Sequence, residues 1–322
     1  MSATTDHAAI GRKDLIDIES MREEELRFLL DKTPLFKEVM RRKNKKVPVL
    51  RGRHVLTLFY EPSTRTRSSF EIAAKRLSAD VTNFTVSTSS VVKGETVVDT
   101  ISTLQSLQVD FIIVRHAAAG IANLIAKHSP ASVINAGDGF HAHPTQALLD
   151  AFTIQERLGS IAGKRIVIVG DILHSRVARS TSMILRKLGA KVAVLGPGPL
   201  IPDERHDDIV AFRSFHEVFQ WQPDVIYLLR IQLERQKDQF FPSLHEYHRL
   251  YGVTDERLHH IRQQGIWVMH PGPVNRGVEL VDGVMHYEKC LINEQVENGI
   301  AARMSVLYWL QLGALKREES GG

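Results

Sequence analysis

Cysteine is almost absent from this sequence of 322 residues, where Cys290 is the only one. A single cysteine cannot form a disulfide within the chain, and it cannot build a cysteine-based zinc site. Chains without disulfides are typical of reducing compartments, so we expect a cytoplasmic protein. Residues 1–7 also lack the basic start and apolar core of a signal peptide, which agrees with that expectation.

Long apolar runs and a strong excess of one charge are missing too. No run approaches the ~20 apolar residues that span a bilayer, so the sequence predicts no membrane segment. The net charge is only +4, and the basic cluster at residues 37–46 has no interleaved aromatic residues. Nucleic-acid-binding surfaces usually combine both features, so we interpret this cluster as a solvated helix end and expect no nucleic-acid partner.

The sequence does contain strand-like and helix-like segments that alternate along most of the chain. Short apolar runs such as residues 111–114 are typical of strands covered on both faces, and amphipathic stretches such as residues 63–77 separate them. The alternation restarts after Gly163. The sequence therefore predicts an α/β protein with two doubly wound parallel-sheet domains that carry helices on both faces.

Two local patterns lead to further structural predictions. Ser20-Met21-Arg22-Glu23 has the pattern of a capping box, which predicts that the first helix begins there. Residues 236–251 carry no regular pattern and form the longest irregular stretch, which predicts a mobile loop beside a binding site.

The strongest chemical signal lies where the strand that ends near Tyr60 gives way to a helix. Backbone N–H groups at a helix start form an anion site together with the positive end of the helix dipole. Ser63, Thr64 and Thr66 add hydroxyl donors there, and Arg65 adds a guanidinium that can hold a phosphate by two bonds. An ordinary helix cap needs one such residue, so four donors in a row favour a phosphate site.

Polar residues follow other strands at the same edge. Arg115 directly follows the strand of residues 111–114. His143 and Gln146 lie on either side of the turn in which Pro144 opens a helix. A neutral imidazole can donate a hydrogen bond to a carbonyl oxygen that becomes negative during a reaction, although His143 could equally be a capping residue. Residues 87–95, taken alone, have the pattern of an ordinary polar loop.

In the second half, Arg176, Arg230 and Gln232 and the segment His270-Pro271-Gly272-Pro273 follow strands. The carboxyl ends of parallel strands are where ligands bind, so these cations and amides indicate a substrate with carboxylates. The glycines after residue 169 do not have the spacing of a dinucleotide site. The histidines lack carboxylates at metal-binding spacing, so a metal site is the poorer interpretation.

Taken in order, these segments resemble the aspartate/ornithine carbamoyltransferase family from about residue 15 to residue 312. Residues 63–67 resemble its carbamoyl phosphate motif, and residues 143–146 resemble its carbonyl-binding segment. Ornithine-specific members carry a cysteine in the loop that matches residues 270–273, whereas this chain has Pro271 there, and Arg176 and Arg230 suit a dicarboxylate. The resemblance implies transfer of the carbamoyl group of carbamoyl phosphate to L-aspartate, an early step of pyrimidine biosynthesis.

The resemblance also implies a division of the chain and a set of site residues. Residues 1–150 would bind carbamoyl phosphate and residues 151–322 would bind aspartate, with helix 293–315 returning to pack on the first domain. The carbamoyl phosphate ligands would be Ser63, Thr64, Arg65, Thr66, Ser89, Arg115, His143, Gln146, Gly272 and Pro273. The aspartate ligands would be Lys93, Arg176, Arg230 and Gln232. The catalytic residues would be Arg65, Thr66, Lys93, Arg115, His143 and Gln146.

Partners and cofactors follow from the same resemblance. Family members form homotrimers, and the counterparts of Ser89 and Lys93 reach the active site of the neighbouring subunit. Whether a regulatory chain or a dihydroorotase joins the trimer is left open. No metal or other cofactor is expected, because a deprotonated amine attacks unaided and the protein has only to supply orientation and charge stabilisation.

Two alternatives to this function stay open at the level of sequence. One is a carbamoyltransferase for another amino acceptor, which Arg176 and Arg230 disfavour. The other is a catalytically silent structural homologue, which should have lost several ligand residues. This chain keeps all of those expected: Arg65, Lys93, Arg115, His143 and Arg230.

Overall fold

The structure is a computed structural model that describes residues 12–85, 100–101, 103, 106–202, 209–231 and 243–320. The chain forms two compact units, one of Met1–Phe152 with Glu297–Gly322 and one of Thr153–Val296. In the part that the structure describes, no helix is both long and apolar enough to cross a membrane.

The first unit is built on a parallel sheet of four strands in the order β2-β1-β3-β4. Its helices and strands are α1 (Glu23–Arg41), β1 (His54–Phe59), α2 (Thr64–Arg76), β2 (Asp80–Thr85), β3 (Phe111–His116), α3 (Ile121–His128), β4 (Ser132–Asp138) and α4 (Pro144–Leu158), with a 3₁₀ turn at Pro48–Leu50. Apolar residues of β1, β3, β4 and α3 form a common core, including Leu56, Ile112, Val133 and Ile125. Thr57 is polar but fully buried on β1, and its hydroxyl donates to Asn83 Oδ1 on β2 at 2.7 Å.

The second unit is built on a parallel sheet of five strands in the order β7-β6-β5-β8-β9. Its helices and strands are β5 (Arg165–Val169), α5 (Arg176–Lys187), β6 (Lys191–Leu195), β7 (Val210–Phe212), α6 (Phe215–Trp221), β8 (Val225–Leu228), α7 (Leu244–Tyr251), α8 (Asp255–Gln264) and β9 (Trp267–Met269), with 3₁₀ turns at Gly198–Leu200 and Asp282–His286. Its core combines the apolar strands with Leu258 and Ile261 of α8. The predicted two-sheet α/β architecture is thus confirmed.

The last helix, α9 (Ile292–Ser320), packs on the first unit, as predicted, although it extends five residues past the predicted end at residue 315. Ser305 Oγ on α9 donates to Leu29 O on α1 at 2.9 Å, and the rings of Tyr308 and Phe36 meet edge to face at 5.7 Å. At its far end, Glu318 accepts hydrogen bonds from the Arg53 guanidinium.

Two local predictions are wrong for identifiable reasons. The helix α1 begins at Glu23, and the carboxylate that caps it is that of Glu25, which accepts from Arg22 N at 2.8 Å. Ser20, predicted as the cap, instead accepts from the Arg12 side chain at 3.0 Å. Of the mobile loop predicted at residues 236–251, residues 236–242 lie outside the described residues, whereas residues 244–251 form α7, whose first turn is capped by Ser243 Oγ accepting from Glu246 N at 3.0 Å.

The sheet orders define where each unit can hold a ligand. All strands run parallel, but successive strands are added on one side of β1 up to β2 and on its other side from β3 onward, and the same change of side occurs between β5 and β8 in the second sheet. Ligands of open parallel sheets bind beyond the carboxyl ends of the strands at such switch points. In each unit the predicted site residues should therefore lie together at the carboxyl ends of the strands. We call these ends the first edge in the first unit and the second edge in the second unit.

Candidate active site

In the first unit, the loop after β1 brings Ser63 to the start of α2. Four other hydroxyl residues at helix starts accept a hydrogen bond from their own helix: Ser175, Ser214, Ser243 and Thr254. In the described part of the chain, the Ser63 hydroxyl accepts no such hydrogen bond from the first turn of α2. Its hydroxyl is therefore not used for helix capping, as a ligand-binding role requires. Thr66 lies one turn into α2 and is buried, while Thr64 and Arg65 are exposed.

Arg115 lies at the end of β3, directly beside this helix start. Its Nη1 donates to Ala136 O on β4 at 3.1 Å, and its Nε lies 3.4 Å from Glu61 Oε2 in the loop after β1. Both side chains of this ion pair are largely buried. The guanidinium is thus held across the carboxyl ends of β1, β3 and β4, where a residue that binds an anion is predicted.

His143 and Gln146 lie at the start of α4 and are both buried. Ala147 N donates to His143 O at 3.2 Å, and Gln146 Nε2 donates to Asp150 Oδ1 one turn further on at 3.0 Å. The amide of Gln146 is thereby oriented by a carboxylate that is itself fully buried.

Asp138, at the end of β4, fixes the loop that leads to His143, and sequence reasoning missed it. Its carboxylate accepts from Gly120 N and Asn135 Nδ2 at 2.8 and 2.7 Å and lies 3.0 Å from His141 Nδ1. Ala142 N, next to His143, also donates to it at 3.2 Å. An aspartate at the end of a buried strand was the available signal.

Arg303 on α9 is a second residue that the sequence did not reveal. It is buried, and its Nη1 donates to Ser69 Oγ on α2 at 3.0 Å and to Gly299 O at 2.8 Å. Burial lowers the pKa of Arg303 to about 10, and the negative charge of Asp150 opposes that shift. One guanidinium thus acts on both α2 and α4, the two helices that present the predicted carbamoyl phosphate ligands.

In the second unit, the loop after β5 presents Arg176. Gly170 begins the loop at φ +137°, and a Cβ there would lie 2.9 Å from Leu229 Cβ, so this close approach requires glycine. The Asp171 carboxylate accepts from His174 N at 3.0 Å, which folds the loop back on itself. Arg176 then occupies the first turn of α5 and is buried.

Arg230 and Ile231 follow β8, the strand next to β5. Glu279, which is only 1% exposed, accepts from Ile231 N at 2.9 Å and from Asn275 N at 2.6 Å. Asn275 Nδ2 donates to Glu279 Oε1 at 2.7 Å and to Ile231 O at 3.1 Å. The segment after β8 and the segment after β9 are therefore joined through one carboxylate.

The predicted loop after β9 has a defined hydrogen-bond frame. His270 N donates to Gln295 Oε1 at 3.0 Å, and Gly272 N donates to His270 Nδ1 at 2.8 Å. Gly272 adopts φ +62° and its peptide bond to Pro273 is cis. Close by, burial and the negative charges of Glu279 and Asp171 raise the pKa of Tyr247.

Each unit thus gathers its own predicted residues at one strand edge. The first edge carries Ser63, Thr64, Arg65, Thr66, Arg115, His143 and Gln146, and the second carries Arg176, Arg230, Gly272 and Pro273. Ser89, Lys93 and Gln232 lie outside the described residues. Among the residues that are described, no three His, Cys, Asp or Glu side chains come together as a metal site.

Comparison with known proteins gives a consistent result across both units. Residues 13–156 match the family model of the aspartate/ornithine carbamoyltransferase carbamoyl-P binding domain, and residues 162–310 match that of the Asp/Orn binding domain. The aspartate carbamoyltransferase catalytic subunit of Akkermansia muciniphila is 64% identical over 299 residues, which cover 93% of this chain and 97% of that protein.

Solved structures agree with the sequence relatives. The aspartate transcarbamoylase of Trypanosoma cruzi in complex with carbamoyl phosphate and aspartate has a TM-score of 0.82 at 29% identity, covering 94% of this chain and 97% of that one. The catalytic subunit of the M. jannaschii aspartate transcarbamoylase has a TM-score of 0.81 at 33% identity, with coverages of 93% and 98%.

Proposed function

This chain belongs to the aspartate/ornithine carbamoyltransferase family, and from that premise we propose that it carbamoylates L-aspartate. The carbamoyl group of carbamoyl phosphate is transferred to the amine, giving N-carbamoyl-L-aspartate and phosphate for pyrimidine biosynthesis. The proposal rests on the residues found at the carboxyl ends of the strands in each unit. In the first unit these are Arg115 and a helix start suited to phosphate, and in the second unit they are Arg176 and Arg230.

The phosphate of carbamoyl phosphate binds at the start of α2. Ser63, Thr64, Arg65 and Thr66 donate to its oxygens, and Arg115 neutralises part of its charge. This assignment is supported by the Ser63 hydroxyl, which is not used for helix capping, and by the position of Arg115 across three strand ends.

The carbonyl oxygen of the same substrate is polarised by Thr66, Arg115 and His143. The neutral aspartate amine attacks the carbonyl carbon, so negative charge develops on this oxygen. The C–O bond to phosphate then breaks, and the phosphate leaves with the proton that the nitrogen gives up. Donors that are already oriented lower the barrier to this step. Gln146 and the carbonyl groups of Pro271, Gly272 and Pro273 orient the carbamoyl NH₂.

The two carboxylates of L-aspartate are bound by Arg176, Arg230 and Gln232. Two guanidinium groups suit a dicarboxylate and would repel the side-chain cation of ornithine. Lys93 and Ser89 complete the site from a neighbouring subunit, so the functional form is a homotrimer, and it acts in the cytoplasm.

The first test is an assay of the purified chain with carbamoyl phosphate and either L-aspartate or L-ornithine, with the ureido product measured. We expect product with aspartate only. Product with ornithine would contradict the assigned roles of Arg176 and Arg230. No product with either acceptor would contradict the proposed activity and favour a silent homologue.

The shared site is tested separately with mixed trimers. Lys93→Ala and Arg230→Ala should each be inactive alone, because each removes an aspartate ligand from every site. Trimers reassembled from an equal mixture should recover about a quarter of the activity, since each hybrid trimer contains one site with both residues intact. No recovery from well-mixed hybrids would contradict a site formed by two subunits.

A further inference from the structure

Glu279 is a buried carboxylate whose two oxygens both face hydrogen-bond donors. Oε1 accepts from Ile231 N at 2.9 Å and from Asn275 Nδ2 at 2.7 Å. Oε2 accepts from Asn275 N at 2.6 Å and lies 3.7 Å from His270 Nε2. With 1% of its surface exposed, Glu279 makes these contacts instead of contacts with water.

The proton on His270 is placed by its other ring nitrogen. Gly272 N donates to His270 Nδ1 at 2.8 Å, so Nδ1 must carry the lone pair and Nε2 the hydrogen. That hydrogen lies on the side of Glu279. Each oxygen of Glu279 is therefore matched by donors, which is an arrangement that an ionised carboxylate satisfies and that a neutral amide cannot.

The groups joined by Glu279 belong to two segments that lie far apart in the chain. Ile231 stands between Arg230 and Gln232, both assigned to aspartate, and Asn275 and His270 flank the loop of residues 271–273. Asn275 Nδ2 adds a direct bond to Ile231 O at 3.1 Å. Among the described residues, none of these contacts involves the Arg230 side chain, so the carboxylate acts on the backbone that carries it.

We infer that Glu279 is a positioning residue for L-aspartate binding, which fixes the backbone at residues 230–231 against the loop of residues 270–275. This inference rests on the proposed function. Glu279 acts through its contacts with Ile231, Asn275 and His270. It holds the segment that presents Arg230, so the guanidinium meets the aspartate carboxylate without first having to be ordered.

The test is Glu279→Gln, which keeps the size of the side chain and places an NH₂ group against existing donors. We expect the KM for L-aspartate to rise by about tenfold to a hundredfold, the effect of losing hydrogen bonds to a charged group. The KM for carbamoyl phosphate should rise less than that for L-aspartate, because its phosphate ligands lie in the first unit and only Gly272 and Pro273 belong to the loop that Glu279 contacts.

A matched control is Glu217→Gln in the same unit, where the carboxylate also accepts from a backbone N–H, that of Arg213, at 2.8 Å. This variant should keep both KM values. A general loss of folded protein would lower kcat and leave both KM values unchanged, so the split between the substrates separates positioning from stability.

Asn275→Ala is the second variant, for the case in which Glu279→Gln does not fold. It removes the side-chain bonds to Ile231 O and Glu279 and leaves the carboxylate in place. We expect a smaller rise in the KM for L-aspartate, about threefold to tenfold. Unchanged KM values for aspartate in the folded variants would overturn the inference, whereas an inactive wild-type chain would overturn the proposed function instead.

Discussion

In the first unit the proposed phosphate ligands follow one another from Ser63 to Thr66 at the start of a single helix, whereas in the second unit Arg176, Arg230 and the loop of residues 270–273 come from three strand ends. A contiguous set is oriented by the helix that it opens. A dispersed set needs groups that join the separate backbone segments, and Glu279 does this in the second unit.

Buried charge has a different role at the two edges. In the first unit the buried cation Arg303 bonds to Ser69 on α2 and interacts electrostatically with Asp150 on α4. In the second unit the buried anion Glu279 accepts from backbone N–H groups. Arg303 connects whole helices, whereas Glu279 connects short backbone segments. Loss of Arg303 should therefore lower mainly stability, and loss of Glu279 should weaken mainly substrate binding.

The largest effect on stability is expected from Arg303→Met. This change removes the hydrogen bond to Ser69 and the buried positive charge that interacts electrostatically with the fully buried Asp150. Removing one of two buried opposite charges leaves the other uncompensated, which costs about 3–5 kcal/mol, so the free energy of unfolding measured in urea should fall by that amount.

Two further variants sharpen this prediction. Lys316→Met, at an exposed position of the same helix, should change stability by less than about 0.5 kcal/mol. Adding Asp150→Asn to Arg303→Met should cost less than the sum of the two single changes, because the buried charges are then removed together. A loss below about 1 kcal/mol for Arg303→Met would show that the pair does not hold the two helices.

His143→Ala tests the chemistry of the first edge. The variant removes a proposed donor to the developing oxyanion, and we expect kcat to fall by about 10²–10³-fold. Because the phosphate ligands remain, the KM for carbamoyl phosphate should change much less. His128→Ala, at an exposed position in the same unit, serves as the control and should keep the wild-type kcat. A kcat that stays within a factor of two for His143→Ala would remove this residue from the mechanism.

Gly170→Ala tests the backbone on which the second edge depends. Gly170 has φ +137°, and the added Cβ would lie 2.9 Å from Leu229 Cβ and 3.2 Å from the Tyr247 hydroxyl. The free energy of unfolding should therefore fall by about 1–3 kcal/mol. At Gly198, an added Cβ would have nothing within 4 Å, so Gly198→Ala is the matched control. Equal stability of the two variants would contradict the close approach at Gly170.

The contrast between the two edges also explains what could be predicted from the sequence. Strands β1, β3, β4, β5, β6 and β8 are apolar runs that stand out on their own, and the motif at residues 63–66 is contiguous. In contrast, β2 and β7 carry no such signal, since Asp80–Thr85 is mostly polar and Val210–Phe212 has only three residues. Edge strands of this kind form because their backbone hydrogen-bonds to a neighbouring strand, and their own hydrophobic pattern does not predict them.

The residues that hold the site together were the least predictable part. Glu279, Asp138 and Arg303 are charged residues, a type that is usually exposed, and only the fold shows that they are buried. Their partners lie between 3 and 234 positions away in the chain. Sequence motifs identified the groups proposed to touch substrate, but not the buried groups that orient them.

The smallest expected effect concerns acid and the first edge. Burial lowers the pKa of His116, which follows Arg115 and accepts from Ala118 N through Nδ1 at 2.8 Å. Below an ordinary histidine pKa of about 6.5 the unfolded chain binds this proton more readily than the folded one, so stability falls as pH decreases. His116→Asn keeps an acceptor near Nδ1 but does not titrate, so its melting temperature should fall less than that of the wild type between about pH 7.5 and pH 5.5. His259→Asn, on the exposed face of α8, should reproduce the wild-type decrease, and an equal decrease for His116→Asn would show that His116 does not contribute to acid sensitivity.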